Sequence, residues 1–164
     1  MEQSRSEMLR QALMAMMPGL RGYARALTRD THAADDLVQE AVMRALAAEV
    51  QWQDGTEPRP WVFTILRNAW LGGLRQARNG RRAATENAHA SADHAAETQS
   101  GQAALHELSV AMDRLPATQR EALMLVGAQG LSTAEAAAIC GVAEGTIKAR
   151  VSHGRRSLRI ALGH

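Results

Sequence analysis

From Ala83 to Ala104 the chain contains no Leu, Ile, Val, Met or aromatic residue. Nothing else in the sequence restricts the fold as much. A stretch built from Ala, Thr, Glu, Asn, His, Ser, Asp, Gly and Gln buries too little apolar surface to offset the entropy of ordering it. It is expected to be a flexible linker, with transient helix where alanine is frequent. The 164 residues then divide into an N-terminal module over 1–82 and a C-terminal one over 105–164. Each is small enough for its stability to be marginal alone.

Aromatic residues make up 3% of the chain, so the cores must be aliphatic. Frequent alanine, four prolines and few β-branched residues favour helix throughout. The expected fold is all-α, with two small helical domains. In the first module Leu9, Leu13, Met16, Leu20, Tyr23 and Leu27 step by three and four, the period of an amphipathic helix. Pro18-Gly19 interrupts it, leaving two helices or one kinked helix open. Asp30 or Thr31 caps a second helix with Ala34, Leu37, Val38, Ala41, Val42, Ala45 and Leu46 on its apolar face. Gln53–Pro60 reads as a loop, and Trp61–Gln76 as a helix apolar on most sides.

In the second module Leu115-Pro116 opens a helix that runs to about Gln129 and stops at Gly130. Ser132-Thr133-Ala134-Glu135 is a capping box, and Gly141 suits a left-handed helix end. A longer helix follows from Glu144 to about Leu162, with Ile147, Val151, Leu158 and Leu162 inward. Short helix, glycine turn and basic helix form a helix-turn-helix pattern. Its outer face has Lys148, Ser152, Arg155 and Arg159, with Ala149, His153 and Arg156 beside them.

Charge is segmented. The net +2 hides six basic and no acidic residues over 59–82, and five basic and no acidic residues over 145–164. Residues 83–113 hold five acids and no base. Solvated helix faces usually mix signs, so the two basic segments point to a nucleic acid. Lys148 is the one lysine among 19 basic residues, and arginine's planar fork suits phosphate and base edges. Trp52, Trp61, Phe63 and Trp70 stand among Arg59, Arg67, Arg75, Arg78, Arg81 and Arg82. Aromatic rings beside arginines suit unpaired bases, and they equally suit a core short of aromatics.

Other chemistry is not indicated. His89, His94 and His106 lack metal-ligand spacing, and Cys140 reads as a small buried hydrophobe. No Gly-rich phosphate loop, nucleophile elbow or catalytic carboxylate pair is present, so neither an enzyme nor a cofactor is expected. No apolar run reaches the roughly 18–20 residues of a membrane span, and no signal-peptide core opens the chain. A cytoplasmic protein is expected.

Three segments decide the family: Asp35-Asp36-Leu37-Val38-Gln39-Glu40, Trp61-Val62-Phe63-Thr64-Ile65-Leu66-Arg67-Asn68, and Leu115-Pro116 with Gln119-Arg120-Glu121-Ala122-Leu123. With Gly145-Thr146-Ile147-Lys148-Ala149-Arg150-Val151, they resemble bacterial sigma factors of the extracytoplasmic-function type in the sigma-70 family. The wording of the second and fourth is closest to the general-stress branch. The resemblance implies a promoter-directing subunit of RNA polymerase. Residues 1–82 would be sigma region 2 and residues 105–164 sigma region 4, which in this family meet the β′ clamp helices and the β flap of the core enzyme. Asp36, Gln39, Glu40, Met43 and Arg44 would contact the polymerase. The loop at 53–60 resembles the family's loop for a flipped-out base of the minus-10 element. Trp52 and Asn68 would flank its pocket, while Arg75, Arg78, Arg81 and Arg82 hold the backbone. Lys148, Ala149, Ser152, His153 and Arg155 would meet the minus-35 element. The family is commonly held inactive by an anti-sigma factor.

The sequence departs from the family at His153-Gly154, where arginine and alanine are more usual, and at Thr133, which replaces a common aromatic. Two competing functions are a sigma-like decoy that binds an anti-sigma factor without directing transcription, and a repressor that binds DNA unaided. A decoy of the response-regulator type needs a receiver domain, for which 164 residues leave no room. A repressor leaves Asp35–Glu40 unexplained.

Overall fold

The computed structural model describes residues 2–52, 55–80 and 100–164. They form α-helices with no strand among the described residues. The helices group into two compact units, Met1–Ala90 and Ser91–His164.

In the first unit α1 spans Glu2–Thr28 as one helix, with Pro18 inside it. Proline removes an N–H and crowds the carbonyl four residues back. Here that carbonyl belongs to Met14, whose side chain is 75% exposed, so the break falls on the side facing water. The opposite stripe of Leu9, Leu13, Met16, Leu20 and Tyr23 is buried. Arg29 ends α1 with φ 57, a left-handed residue that is not glycine. Thr28 Oγ1 donates to the Ala24 carbonyl at 2.8 Å, and Arg29 N–H donates to Arg25 at 2.7 Å. Of the two possible caps, Asp30 serves: its Oδ1 accepts from His32 N–H at 2.9 Å and from Ala33 N–H at 3.4 Å.

Helix α2 spans Thr31–Ala47 and buries Ala34, Leu37, Val38, Ala41 and Ala45. Val42 and Leu46 lie half-buried at the edge of that face. After a 3-10 turn at Glu49–Gln51, α3 spans Pro58–Gly80. It starts earlier than the sequence suggested and takes Pro58-Arg59-Pro60 out of the expected loop, because a first turn needs no N–H from proline. Val62, Phe63, Leu66 and Ala69 are buried, and the Phe63 ring meets Tyr23 at 5.4 Å between centroids. Each fully buried Leu or Phe contributes about 1.5–3 kcal/mol, which three packed helices supply many times over.

In the second unit α4 spans Ser100–Asp113. The linker expected over 83–104 is therefore corrected at its C-terminal end, since residues 100–104 are helical; its remainder, 83–99, lies outside the described residues. Ala and Gln are good helix formers, and Ala111 near the end of α4 and Leu115 just after it are buried. Helix α5 covers Ala117–Ala122 with Pro116 as N-cap, and the chain continues as a π-helix over Leu123–Ala128. Gly130 closes it with φ 70, and Leu131 N–H donates to the Leu125 carbonyl at 3.0 Å. Helices α6, Thr133–Cys140, and α7, Glu144–Ala161, complete the unit.

Candidate polymerase and promoter surfaces

The helix-turn-helix is built by local rules. Ser132 Oγ accepts from Glu135 N–H at 3.0 Å, and Glu135 Oε1 accepts from Ser132 N–H at 2.9 Å, so the capping box closes both ways. Gly141 turns at φ 68 while Val142 N–H returns to the Ala137 carbonyl at 3.1 Å. Ala136, Ala137, Ile139 and Cys140 bury one side of α6 against α7, which answers with Ile147 and Val151. Leu158 and Leu162, expected inside, are half-buried.

With that side fixed, Lys148, Ala149, Ser152, His153 and Arg155 all emerge exposed on α7. Two residues near them were not legible in the sequence. Gly154 is buried, and a Cβ there would meet Leu123 Cδ1 at 2.7 Å and Cγ at 3.1 Å. A side chain at this place would therefore press on the Leu123 side chain where α7 crosses the π-helix. Glu144, at the start of α7, accepts from Thr133 Oγ1 at 2.7 Å and lies 3.7 Å from Lys148 Nζ. That hydrogen bond, reinforced by the nearby ammonium, holds the Glu144 carboxyl below its ordinary value. Arg120 is also not a surface cation: it is 5% exposed and its Nη1 donates to the Leu115 carbonyl at 3.0 Å.

On α2, Asp36, Gln39, Glu40, Met43 and Arg44 share one exposed face and, with Ala47, line a shallow depression. Met43 is 65% exposed, and Arg44 Nη2 pairs with Glu40 Oε1 at 2.7 Å. Both partners of that pair are about half exposed, so it orders the face more than it stabilises the fold. Grooves flank the face on both sides. Met17, Arg21 and Arg25 of α1 border one, and Trp70, Gly73 and Leu74 of α3 border the other.

The third expected surface falls only partly within the described residues. Asn68, Arg75 and Arg78 are exposed on α3, and spacings of seven and three put them on one side. Arg81 and Arg82 lie outside the described residues, as do Gln53 and Asp54 of the loop. Trp52 is 5% exposed in the unbound chain, with Nε1–H donating to the Thr56 carbonyl at 3.3 Å. Phe63 is core as well, with the Arg59 guanidinium 6.0 Å from its ring centre.

Comparisons with known proteins fit this division. Residues 13–67 match the family described as "Sigma2 domain of PhyR", and residues 105–158 match "Sigma-70, region 4". The "ECF RNA polymerase sigma factor EcfG" of Rhodopseudomonas palustris is 44% identical over 160 residues, covering 96% of this chain and 86% of that protein. The chain belongs to the extracytoplasmic-function sigma factors of the sigma-70 family. Within them it is of the general-stress type. "ECF RNA polymerase sigma factor SigM" of Mycobacterium tuberculosis is 34% identical over 141 residues, 86% of this chain and 70% of that one. Among solved structures, the sigma factor RpoE of Bartonella quintana, determined in complex with the anti-sigma factor NepR, has a TM-score of 0.77 at 36% identity. That match covers 94% of this sigma factor and 96% of that chain. CnrH, solved with the cytosolic domain of CnrY, shares the fold at a TM-score of 0.66 and 21% identity.

Proposed function

We propose that this sigma factor directs core RNA polymerase to stress promoters through three surfaces and is restrained by an anti-sigma factor. Residues 1–82 act as region 2 and residues 105–164 as region 4. The exposed face of α2, Asp36, Gln39, Glu40, Met43 and Arg44, docks on the β′ clamp helices, and region 4 reaches the β flap. Asn68, Arg75 and Arg78 follow the melted minus-10 strand, with Arg81 and Arg82 continuing the basic run. Lys148, Ala149, Ser152, His153 and Arg155 enter the major groove at the minus-35 element.

One observation supports the reading above others. Helix α7 presents an exposed strip with no acid after Glu144, while Ile147, Val151 and Gly154 are buried on its other side. Such a strip supplies cations and donors where a groove needs them. Restraint by an anti-sigma factor is supported by the complex of RpoE with NepR. No helix among the described residues is long and apolar enough to cross a membrane. The decoy reading gains no comparable support, because relatives matched over most of this chain are named as sigma factors.

Run-off transcription with core polymerase tests the proposal. Addition of this chain should yield a promoter-dependent product on stress promoters. No product on any of them, with the chain still bound to core, would favour the decoy.

A further inference from the structure

Glu144 is the last acidic residue of the sequence and opens α7, the helix that otherwise carries only positive charge. Thr133 opens α6. The 2.7 Å hydrogen bond from Thr133 Oγ1 to Glu144 Oε1 therefore joins the first turns of both helices of the helix-turn-helix. It fixes a carboxylate there. Lys148 lies one turn further along α7, and its Nζ sits 3.7 Å from the same oxygen although its side chain is 65% exposed. The anchored acid thus has hold of the only lysine in the protein.

In helix-turn-helix proteins the start of the second helix meets base edges and the first helix crosses the backbone. A fixed negative charge at that place opposes phosphate on any sequence. It also competes with phosphate for the Lys148 ammonium. Phosphates are present at every site, whereas guanine O6 and N7 acceptors occur only where the sequence supplies them. We propose that Glu144 is a specificity-determining residue of the minus-35 surface: it withholds Lys148 from arbitrary phosphates and yields it to a base edge. Thr133 is its positioning residue. The inference rests on α7 being the minus-35 reader.

Holoenzyme reconstituted from core polymerase and the full chain is compared on two duplexes across a salt series. One is a promoter that supports run-off; the other has its minus-35 region scrambled. Exposed ion pairs of this kind are weak, so Glu144→Gln should raise affinity for the scrambled duplex by about two- to fivefold. Its salt slope should steepen by about 0.9 as Lys148 gains a phosphate. The promoter duplex gains less, and discrimination falls. Most of this effect should vanish when Lys148→Ala is present.

A purely structural Glu144 would give the opposite sign, with both duplexes bound more weakly, and that result overturns the inference. Unchanged discrimination in Glu144→Gln, while Lys148→Ala still weakens promoter binding, also overturns it but leaves the α7 reading intact. If Lys148→Ala alters neither duplex, the α7 reading fails and the inference fails with it.

Discussion

Gly154→Ala is the most direct test of how α7 crosses the π-helix in the second unit. Alanine in place of glycine within a helix normally gains about 1 kcal/mol. Here the added Cβ would stand 2.7 Å from Leu123 Cδ1 and 3.1 Å from Cγ, with Gln119 Cβ at an ordinary 3.6 Å. Leu123 is itself 6% exposed and sits in the π-helix, so it has little room to turn aside. Overpacking of this kind costs about 1–3 kcal/mol. The clash should outweigh the propensity gain and leave a net loss of about 1 kcal/mol, or about 4–8 °C in melting temperature for a domain of this size. The chain offers a convenient assay, because Trp52, Trp61 and Trp70 all lie in the first unit. Far-UV circular dichroism should show the loss while tryptophan fluorescence does not. Gly145→Ala is the control, since nothing lies within 4 Å of a Cβ at that site. In a Leu123→Ala background, itself costing about 2–5 kcal/mol, the clash is gone and Gly154→Ala should become stabilising. If the substitution stabilises the wild-type chain, or has the same sign in both backgrounds, the close crossing is not real.

Three further outcomes are expected. Asp36→Lys with Glu40→Lys should reduce core-polymerase affinity at least tenfold without shifting either melting transition; unchanged affinity in a pull-down with core enzyme would remove α2 from the interface. Trp52→Phe should keep most of the packing but lose the bond to Thr56, costing about 0.5–1.5 kcal/mol, and Trp52→Ala about 3–5 kcal/mol. If Trp52→Phe instead destroys promoter melting at full stability, the ring does meet a base. Because the Glu144 carboxyl is held below its ordinary value of 4.5, its bridge stabilises the fold above that pH, and the contribution is lost as pH falls through the lowered value. Wild type and Glu144→Gln should therefore differ in thermal stability at neutral pH and converge in acid; parallel profiles would mean the bridge is absent in solution.

What could be read from the sequence was whatever local chemistry decides. The capping box at Ser132–Glu135 and the left-handed Gly141 are instructions contained within a few residues, and both formed as expected. So did the apolar stripe of α1 and most of the inner face of α2. The continuity of α1 through Pro18 was open, because proline's cost depends on whether the freed carbonyl faces water or core. Helix at Ser100–Ala104 was missed for a related reason: a short alanine-rich stretch borrows its stability from Ala111 and Leu115 further along. Among the expected site residues, those on α2 and α7 emerged exposed, since helical period alone separates outer from inner faces. Trp52 did not, because which aromatic plugs a core and which meets solvent is set by tertiary packing. The π-helix at Leu123–Ala128 has no sequence signature, and so neither did the close contact at Gly154.

The charge pattern gains a sharper meaning from one boundary. From Gly145 onward the chain has no acid, and the residue just before that point is Glu144. A carboxylate in the first turn suits the positive end of the helix dipole, and here it is also held by a neighbouring hydroxyl. Unpinned, a glutamate next to DNA swings into solvent at little cost, and its charge is screened within about 8–10 Å. Pinned by Thr133 and set beside Lys148, it cannot leave without giving up both interactions. Giving up both interactions adds a modest cost to phosphate capture at each encounter, which biases the surface toward sites that supply a base-edge partner. Thr133→Val keeps the charge and frees it, so its effect separates charge from placement. If Thr133→Val loosens discrimination as Glu144→Gln does, placement decides; if it has no effect, only the charge matters and the hydrogen bond is incidental.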